Sequence, residues 1–310
     1  MRIIFMGTPD FSVGTLEALV EAGHDVCLAV TQPDKPKGRG KEMQFTPVKE
    51  AAVKHGILVY QPKRVRDPEC VEELRKYNAD VMVVVAFGQI LPKEILEMTP
   101  YGCINVHASL LPKYRGAAPI QWAIIEGESV TGVTTMQMDE GLDTGDMLFK
   151  SEVAIAPEDT YASLQDKLAR AGADLIVPAL AAVEKGEVKP EHQNASDSSY
   201  VGMIDKSMGQ IDFARPAAET VRLIRGLNPW PSAYTSYKGK KLKIWEVSPC
   251  EEQAEGAPGM VKKLDKEAIY INTGEGVLKV TQLQLEGKKR MQVKDFLLGC
   301  RMEKGEMLGC

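Results

Sequence analysis

The run DVMVVVA at residues 80–86 is the feature that most restricts how this chain can fold, because its apolar part is unbroken and rich in β-branched side chains. A strand with one side in solvent alternates apolar and polar residues. An unbroken apolar run therefore indicates a strand that is covered on both faces. Such strands occur mainly in parallel sheets with helices on both sides. The sequence thus predicts an α/β core.

Strand-like and helix-like patterns alternate along the first 190 residues. Strands are predicted over 2–7, 25–31, 57–61, 80–86, 102–108, 132–139 and 147–155, and helices over 9–23, 46–56, 68–77, 117–127 and 160–186. Thr46 followed by Pro47 is a typical helix start, and Gly23 is a typical helix end. Alternation at this interval predicts a doubly wound, mostly parallel, Rossmann-like sheet.

The sequence changes character after residue 186. Residues 187–210 are polar and show no periodicity, which is typical of a linker. A helical pattern at 216–227 follows, and then come short β-rich runs separated by turns, as expected for a small OB-like β-barrel. The predicted division is an α/β domain over 1–189, a linker over 190–207 and an OB-like β-barrel over 208–310.

Charge is distributed unevenly along the chain. The net charge is −5, but residues 208–310 hold 17 Lys and Arg against 13 Asp and Glu, while the rest holds 21 against 30. A basic C-terminal part is compatible with a polyanionic partner. Ordinary scatter in the positions of charged residues explains the imbalance equally well.

Cysteine use and hydropathy predict the cellular environment. The six cysteines form neither a CxxC motif nor a metal-ligand spacing, so we expect reduced thiols. The apolar run near the N-terminus is too short for a signal peptide, and no window is apolar enough for a transmembrane helix. We therefore expect a cytoplasmic protein with no membrane association.

Two polar side chains interrupt the predicted strand GCINVHA at 102–108. Successive side chains of a strand point to opposite faces, so Asn105 and His107 share one face. They stand at the C-terminal end of an inner strand, where open α/β sheets place their ligand crevice. A hydrogen-bonded core histidine is the alternative. The SLLP sequence that follows directly favours a functional site.

The segments NVHASLLPKYRGAAPIQWAI (105–124) and GVTTMQMDEGLDTGDML (132–148) resemble the 10-formyltetrahydrofolate-dependent formyltransferase family. The resemblance covers essentially the whole chain. GTPDFS (7–12), QPDKPKGRGK (32–41) and GLNPWPSAY (226–234) resemble the members that act on initiator methionyl-tRNA. The resemblance implies 10-formyltetrahydrofolate as formyl donor, initiator methionyl-tRNA as acceptor, and a role in translation initiation. A monomer is expected.

The same resemblance implies that Asn105, His107 and Asp143 are the catalytic residues. Attack of an amine on a formyl carbon places negative charge on the carbonyl oxygen, which the amide N–H of Asn105 can stabilise. His107 can donate to that oxygen and move a proton, and Asp143 would orient or charge the imidazole.

A folate pocket is implied by two further segments. The tetrapeptide of Ser109, Leu110, Leu111 and Pro112 resembles the folate-binding sequence of the family. AFGQILP (86–92) resembles the segment that lines the pterin pocket and offers Phe87, Gly88 and Ile90. A plain turn between a strand and a helix, with Phe87 in the core, is an equal alternative for this second segment.

Two other cofactor classes are disfavoured by the sequence. The acidic loop DEGLDTGD (139–146) has neither the spacing of a calcium loop nor a nearby His or Cys, so no metal is expected. The first turn after a strand, GTPDFS, lacks the GxGxxG pattern and places Asp10 where a pyrophosphate would lie. No nicotinamide cofactor is therefore expected.

Two basic segments are the candidate tRNA contacts. The first contains Lys35, Lys37, Arg39 and Lys41 with no acidic residue between them, and a solvated flexible loop is the alternative. In the resembling enzymes this insertion enters the tRNA acceptor stem, and Arg39 stands at the matching arginine. The second, on the predicted barrel, comprises Lys240, Lys241, Lys288 and Lys289, with Lys238, Lys243 and Arg290 nearby.

Four alternative functions remain open from the sequence. Another folate-dependent formyltransferase, acting on an amino sugar nucleotide, or a formyltetrahydrofolate hydrolase would not need the basic insertion. A non-catalytic RNA-binding protein would leave Asn105 and His107 unexplained. A dehydrogenase would need the missing glycine motif.

Overall fold

The computed structural model describes residues 1–37 and 42–309. Its contacts divide the chain into two units. The first consists of Met1–Pro119, Val130–Ala154 and Gln165–Val201. The second consists of Ile120–Ser129, Ile155–Leu164 and the chain from Gly202 onwards. The second unit thus includes two short segments that precede residue 202 in the sequence.

All strands and helices expected up to residue 201 are present. In chain order the elements are β1 (Arg2–Gly7), α1 (Val13–Glu21), β2 (Asp25–Val30), β3 (Lys35–Lys37), β4 (Glu42–Gln44), α2 (Pro47–Lys54), β5 (Val59–Tyr60), α3 (Pro68–Arg75), β6 (Val81–Val85), α4 (Lys93–Leu96), β7 (Cys103–His107), β8 (Arg115–Gly116), α5 (Pro119–Glu126), β9 (Val130–Gln137), β10 (Met147–Ala154), α6 (Tyr161–Lys185) and β11 (Tyr200–Val201). The short elements β3, β4, α4, β8 and β11 were not expected from the sequence.

A seven-stranded sheet organises the first unit, in the order β10-β9-β7-β6-β1-β2-β5. The strands from β7 to β5 pair in parallel. β9 runs antiparallel to both β7 and β10. The predicted mostly parallel, Rossmann-like sheet is therefore confirmed, with an antiparallel pair of strands at one edge.

The apolar run at residues 80–86 forms β6, in which every residue from Val81 to Val85 is buried. β6 lies between β1 and β7, so neither edge of the strand meets solvent. Its burial explains why the run contains no polar position. Because β1, β6 and β7 are parallel neighbours, the turns that follow them meet at one edge of the sheet.

From Gly202 onwards, the second unit has an antiparallel sheet with an α-helix before it and another after it. The elements are α7 (Ala217–Gly226), β12 (Ala233–Tyr237), β13 (Lys240–Cys250), β14 (Val261–Leu264), β15 (Ile269–Asn272), β16 (Val277–Leu285), β17 (Met291–Gln292) and α8 (Val293–Gly299). The strands form an antiparallel sheet in the order β12-β13-β16-β15-β14, with β17 on β16. Inward-facing side chains such as Ile244, Val261 and Val280 form one apolar core. The predicted C-terminal β domain is thus confirmed as an antiparallel sheet domain.

Among the helices of the described ranges, none is both long and apolar enough to cross a membrane. In the same ranges, no group of three or more His, Cys, Asp or Glu side chains is arranged to hold a metal ion.

Candidate active site

Asn105 and His107 lie at the end of β7 and are buried, with exposed fractions of 8% and 6%. Within the described residues, the carboxamide of Asn105 has no hydrogen-bond partner. The Nε2 atom of His107 lies 2.9 Å from the carbonyl oxygen of Tyr114. A carbonyl only accepts, so Nε2 carries the hydrogen, and in the neutral imidazole Nδ1 is then an unprotonated acceptor.

Asp143 comes from the loop between β9 and β10, and its Oδ2 atom lies 3.7 Å from Nδ1 of His107. This separation is too long for a direct hydrogen bond but lies within ion-pair range. The same Oδ2 atom accepts a hydrogen bond of 2.9 Å from the backbone N–H of Gly116. A proton at Nδ1 would therefore face a fixed carboxylate, which attracts the resulting positive charge.

Three non-glycine residues at this edge of the sheet have positive φ angles: Ala86 at 46°, Tyr114 at 61° and Asp143 at 54°. A left-handed conformation costs a residue with a side chain about 1–2 kcal/mol, so neighbouring groups must hold it in place. Ser199 Oγ accepts from Tyr114 N at 2.8 Å, and Gln193 donates to the carbonyl oxygen of Asp143 at 2.9 Å. Both groups that face the His107 ring are thus held by residues 193–199.

Residues 193–201 also pair with the chain that follows the SLLP sequence. β11 runs parallel to β8, with Tyr200 opposite Arg115 and Val201 opposite Gly116. Sequence reasoning missed Gln193 and Ser199, because their polar surroundings are those of any exposed loop. Arg115 was missed as well. Its position inside SLLPKYRG was the only available signal.

The proposed folate-binding turn is held by hydrogen bonds to Thr134 on β9. Thr134 Oγ1 donates to the carbonyl oxygen of Ser109 at 2.7 Å and accepts from Leu111 N at 3.1 Å. Ser109 Oγ donates to the carbonyl oxygen of Lys113 at 2.6 Å. The side chain of Leu111 is buried against Met136 and other apolar residues, whereas Leu110 and Pro112 are half-buried. The tetrapeptide is thus a fixed turn at the end of β7.

The second candidate folate segment follows β6. The side chain of Phe87 is 2% exposed and lies in the apolar core, while Ile90 is 86% exposed. The Phe87 carbonyl accepts from Thr8 Oγ1 at 3.1 Å and from Gln32 Nε2 at 3.2 Å. Gly88 has a φ of 80°, which favours glycine. The parallel sheet therefore places this turn beside the Asn105 and His107 turn, with the side chain of Ile90 exposed and that of Phe87 buried.

The basic insertion is described only at its two ends. Arg39 and Lys41 lie outside the described residues, and Lys35 is exposed on β3, which pairs with β4. Lys49 on α2 contacts the carboxylate of Asp34 and donates to Gln61 Oε1 at 2.9 Å. These contacts fasten the start of the insertion to α2.

The contacts of Asp34 in this cluster change the pKa of its carboxyl group. Burial of the carboxyl group opposes its ionisation, but hydrogen bonds from Lys49 and Gln61 and the charge of Lys49 outweigh burial. The pKa of Asp34 therefore lies below its ordinary value.

The C-terminal candidate lysines meet at one end of the antiparallel sheet. Lys240 and Lys241 begin β13, and Lys288 and Lys289 lie in the turn after β16. Because β13 pairs with β16, Glu286 N donates to the Lys241 carbonyl at 2.8 Å, which brings the two turns side by side. The sequence could not establish that these residues form one basic surface, which we call the lysine end.

Aromatic rings lie next to this lysine end on one face of the sheet. Lys241 Nζ lies 4.0 Å from the ring centre of Tyr234. Lys243 Nζ and the Arg290 guanidinium lie 5.6 Å and 4.7 Å from the ring centre of Trp245. Cations on aromatic rings are a typical feature of single-stranded nucleic-acid surfaces.

Two protein-family models match the chain: Formyl transferase over residues 1–180 and Formyl transferase, C-terminal domain, over residues 203–301. A methionyl-tRNA formyltransferase of Agathobacter rectalis is 58% identical over 98% of this chain and 98% of that protein. One from Lachnospira eligens is 57% identical over the full length of both.

Two solved structures that are similar to this chain are a sugar formyltransferase and a protein in complex with tetrahydrofolic acid. WlaRD, a sugar 3N-formyl transferase, has a TM-score of 0.69 and 19% identity, covering 93% of this chain and 99% of that one. HypX from Aquifex aeolicus in complex with tetrahydrofolic acid has a TM-score of 0.64 and 20% identity, covering 99% of this chain and 50% of that one. At these identities the likeness shows the fold alone.

Proposed function

The chain belongs to the formyl transferase family, and we propose that it transfers a formyl group from 10-formyltetrahydrofolate to the α-amino group of methionine on initiator methionyl-tRNA. The observation that carries this function is the 58% identity to a methionyl-tRNA formyltransferase over 98% of both chains. That similarity includes the basic insertion and the C-terminal domain, and so extends beyond the chemistry shared by all folate-dependent formyltransferases.

The reaction exchanges one carbon–nitrogen bond for another. The neutral α-amine of methionine attacks the formyl carbon, and a tetrahedral intermediate forms with negative charge on its oxygen. The bond from that carbon to N10 of the folate then breaks, and the proton lost by the amine ends on N10. A site for this reaction needs a donor to the oxygen and a group that can hold the proton in transit.

Asn105 is our candidate for the donor to the oxygen. Its carboxamide is buried at the end of β7 and has no hydrogen-bond partner in the described chain, so its N–H groups are available to substrate. A fixed amide in a site with little water stabilises a developing oxyanion by about 3–4 kcal/mol.

His107 is our candidate for the proton carrier, with Asp143 as its charge partner. Nε2 is engaged by the Tyr114 carbonyl, so Nδ1 is the ring atom that can gain and lose a proton. The Asp143 carboxylate lies 3.7 Å from Nδ1, where it can attract positive charge that develops during the transfer.

We assign the folate site to the two turns beside this pair. The Ser109–Pro112 turn is rigid and leaves Leu110 and Pro112 half-buried. Ile90 is 86% exposed, which suits an apolar contact with a flat ring system. Phe87 and Gly88 would contribute through their backbone, because the Phe87 ring lies in the core.

We assign tRNA contacts to the basic insertion and to the lysine end. Lys35, Lys37, Arg39 and Lys41 form the insertion, and Lys240, Lys241, Lys288 and Lys289 form the lysine end. Lysine and arginine bind phosphates largely by releasing counterions, so both contacts should weaken as salt rises. Because the acceptor is aminoacylated tRNA, we place the enzyme in the cytoplasm. We propose that the enzyme acts as a monomer.

The direct test of the function is formyl transfer from 10-formyltetrahydrofolate to methionyl initiator tRNA, with methionyl elongator tRNA and a reaction without tRNA alongside. We expect formylmethionyl-tRNA from initiator tRNA, little from elongator tRNA, and no folate turnover without tRNA. Folate turnover with no formylated tRNA would instead indicate a hydrolase or a different amine acceptor.

A further inference from the structure

Arg115 is a buried cation whose described partners are all neutral. Its residue is 4% exposed, and the guanidinium donates to Gln193 Oε1 at 3.0 Å and to the Tyr200 hydroxyl at 2.9 Å. The Tyr200 ring centre lies 5.4 Å from the guanidinium carbon. In residues 1–37 and 42–309, no carboxylate forms an ion pair with it. A buried charge without a counter-charge is costly, so its position calls for a specific explanation.

The charge of Arg115 fixes the orientation of the Gln193 amide. A guanidinium only donates, so the atom of Gln193 that faces it must be the oxygen, and the amide nitrogen must point the other way. That nitrogen donates to the carbonyl oxygens of Asp143 and Gly145 at 2.9 Å and 2.7 Å. Gln193 is itself 4% exposed. Arg115 thus orients the Gln193 amide so that its nitrogen donates two hydrogen bonds to the Asp143 loop.

Asp143 is held at both its backbone and its carboxylate by neighbours of Arg115. Gln193 binds its carbonyl oxygen, and Gly116, the residue after Arg115, donates its N–H to Oδ2. Asp143 has a φ of 54°, so the loop needs such restraint to present the carboxylate. The restraint sets the 3.7 Å distance between Oδ2 and Nδ1 of His107.

We propose that Arg115, Gln193 and Tyr200 are positioning residues for formyl transfer, which hold the Asp143 carboxylate opposite His107. The proposal rests on the proposed function. None of the three is among the proposed catalytic or folate-binding residues. The side-chain hydrogen bonds lead from Tyr200 through Arg115 and Gln193 to the carbonyl oxygens of Asp143 and Gly145, so their effect on the rate passes through the Asp143 loop.

The first test compares Gln193→Leu with a matched control, Gln137→Leu. Gln137 also donates its side-chain amide to a buried carbonyl, that of Cys103 at 3.1 Å, but contacts no proposed catalytic residue. Relative to active wild-type enzyme, Gln193→Leu should lower kcat about 100-fold, which is the usual cost of misplacing a reacting group by about 1 Å. The KM for each substrate should change less than about twofold. Gln137→Leu should keep the wild-type kcat.

The second test separates positioning from a general role in the fold. Gln193→Leu is combined with Asp143→Ala, and single-turnover rates are measured with enzyme in excess. If Gln193 acts through Asp143, its replacement should cost less than about twofold once the carboxylate is gone. Equal costs in both backgrounds would overturn the proposal. So would a wild-type kcat for Gln193→Leu in an enzyme that formylates tRNA normally.

Two more conservative substitutions test the proposal if Gln193→Leu does not fold. Tyr200→Phe removes one hydrogen bond from a residue that is 59% exposed, and it should lower kcat about threefold at an unchanged melting temperature. Arg115→Lys keeps the charge but cannot reach Gln193 and Tyr200 together, so its kcat should fall further than that of Tyr200→Phe. Wild-type kcat in both variants would overturn the proposal. An inactive wild-type enzyme would instead refute the proposed function.

Discussion

The carboxylate of Asp143 lies 3.7 Å from Nδ1 of His107, although the two residues are far apart in the sequence. The opposite ring atom, Nε2, donates to the Tyr114 carbonyl. The imidazole thus has one nitrogen committed to the backbone and one nitrogen beside a carboxylate. This arrangement leaves Nδ1 as the one ring atom available for proton transfer. Substitutions of Asp143 and Asn105 test the two proposed roles separately.

Replacing Asp143 with Asn should separate charge from shape. The variant keeps an oxygen that can accept from Gly116 N–H, but it removes the charge that faces Nδ1. We expect kcat to fall about 100-fold, because the negative charge beside Nδ1 of His107 is lost while the shape of the side chain is kept. The melting temperature should stay within a few degrees. A variant with wild-type single-turnover rates would show that the carboxylate charge has no part in the transfer.

Replacing Asn105 with Ala should remove the donor to the oxyanion. Loss of one such donor lowers kcat about 100- to 1,000-fold. The side chain has no partner in the described residues, so its removal should leave the fold intact. Steady-state kinetics with methionyl initiator tRNA would check this, with folate binding measured separately by equilibrium titration. A large rise in KM at constant kcat would instead assign Asn105 to substrate binding.

How much of this site the sequence could predict depends on which contacts are local. β6 was predictable because an apolar run of β-branched residues has few alternatives to a buried strand. The shared face of Asn105 and His107 followed from strand geometry. The approach of Asp143 was implied by the family resemblance alone, since strand patterns do not establish that β9 runs antiparallel to β7.

The sequence did not predict the positioning residues, for a different reason. Gln193 lies in a polar stretch without periodicity, and nothing in that stretch distinguishes a buried amide from a solvated one. For Phe87 the sequence left the folate pocket and the core as equal alternatives, and its ring lies in the core. In both cases the side chain's environment is set by residues distant in sequence, which local patterns do not contain.

Asp34 should make stability depend on pH in a defined range. Its pKa is lowered in the folded protein despite burial, through hydrogen bonds from Lys49 and Gln61. The ionised carboxylate therefore adds its full stabilisation above the ordinary Asp pKa of about 4, and this stabilisation is lost as pH falls through the lowered value. The difference in melting temperature between wild type and Asp34→Asn should be constant from pH 5 to about 8 and shrink below about pH 4. A difference that persists unchanged at low pH would rule out the carboxylate charge as its source.

The lysine end should contribute phosphate contacts to tRNA binding. Lys240→Gln combined with Lys289→Gln should raise the tRNA KM and reduce the slope of log affinity against log salt by about 2, one unit for each lysine. The folate KM should not change. Lys266→Gln, at an exposed lysine elsewhere in the same unit, is the control and should leave both values unaltered. An identical salt slope in the double variant and the control would exclude these lysines from the interface.

The most direct test of the account follows the formyl group itself in wild type and in His107→Ala. With the formyl carbon of 10-formyltetrahydrofolate isotopically labelled, wild type should transfer the label to methionyl initiator tRNA. His107→Ala should bind folate and tRNA, melt close to wild type and transfer no detectable label. Label transfer by His107→Ala at the wild-type rate would contradict the assignment of the catalytic centre to the end of β7.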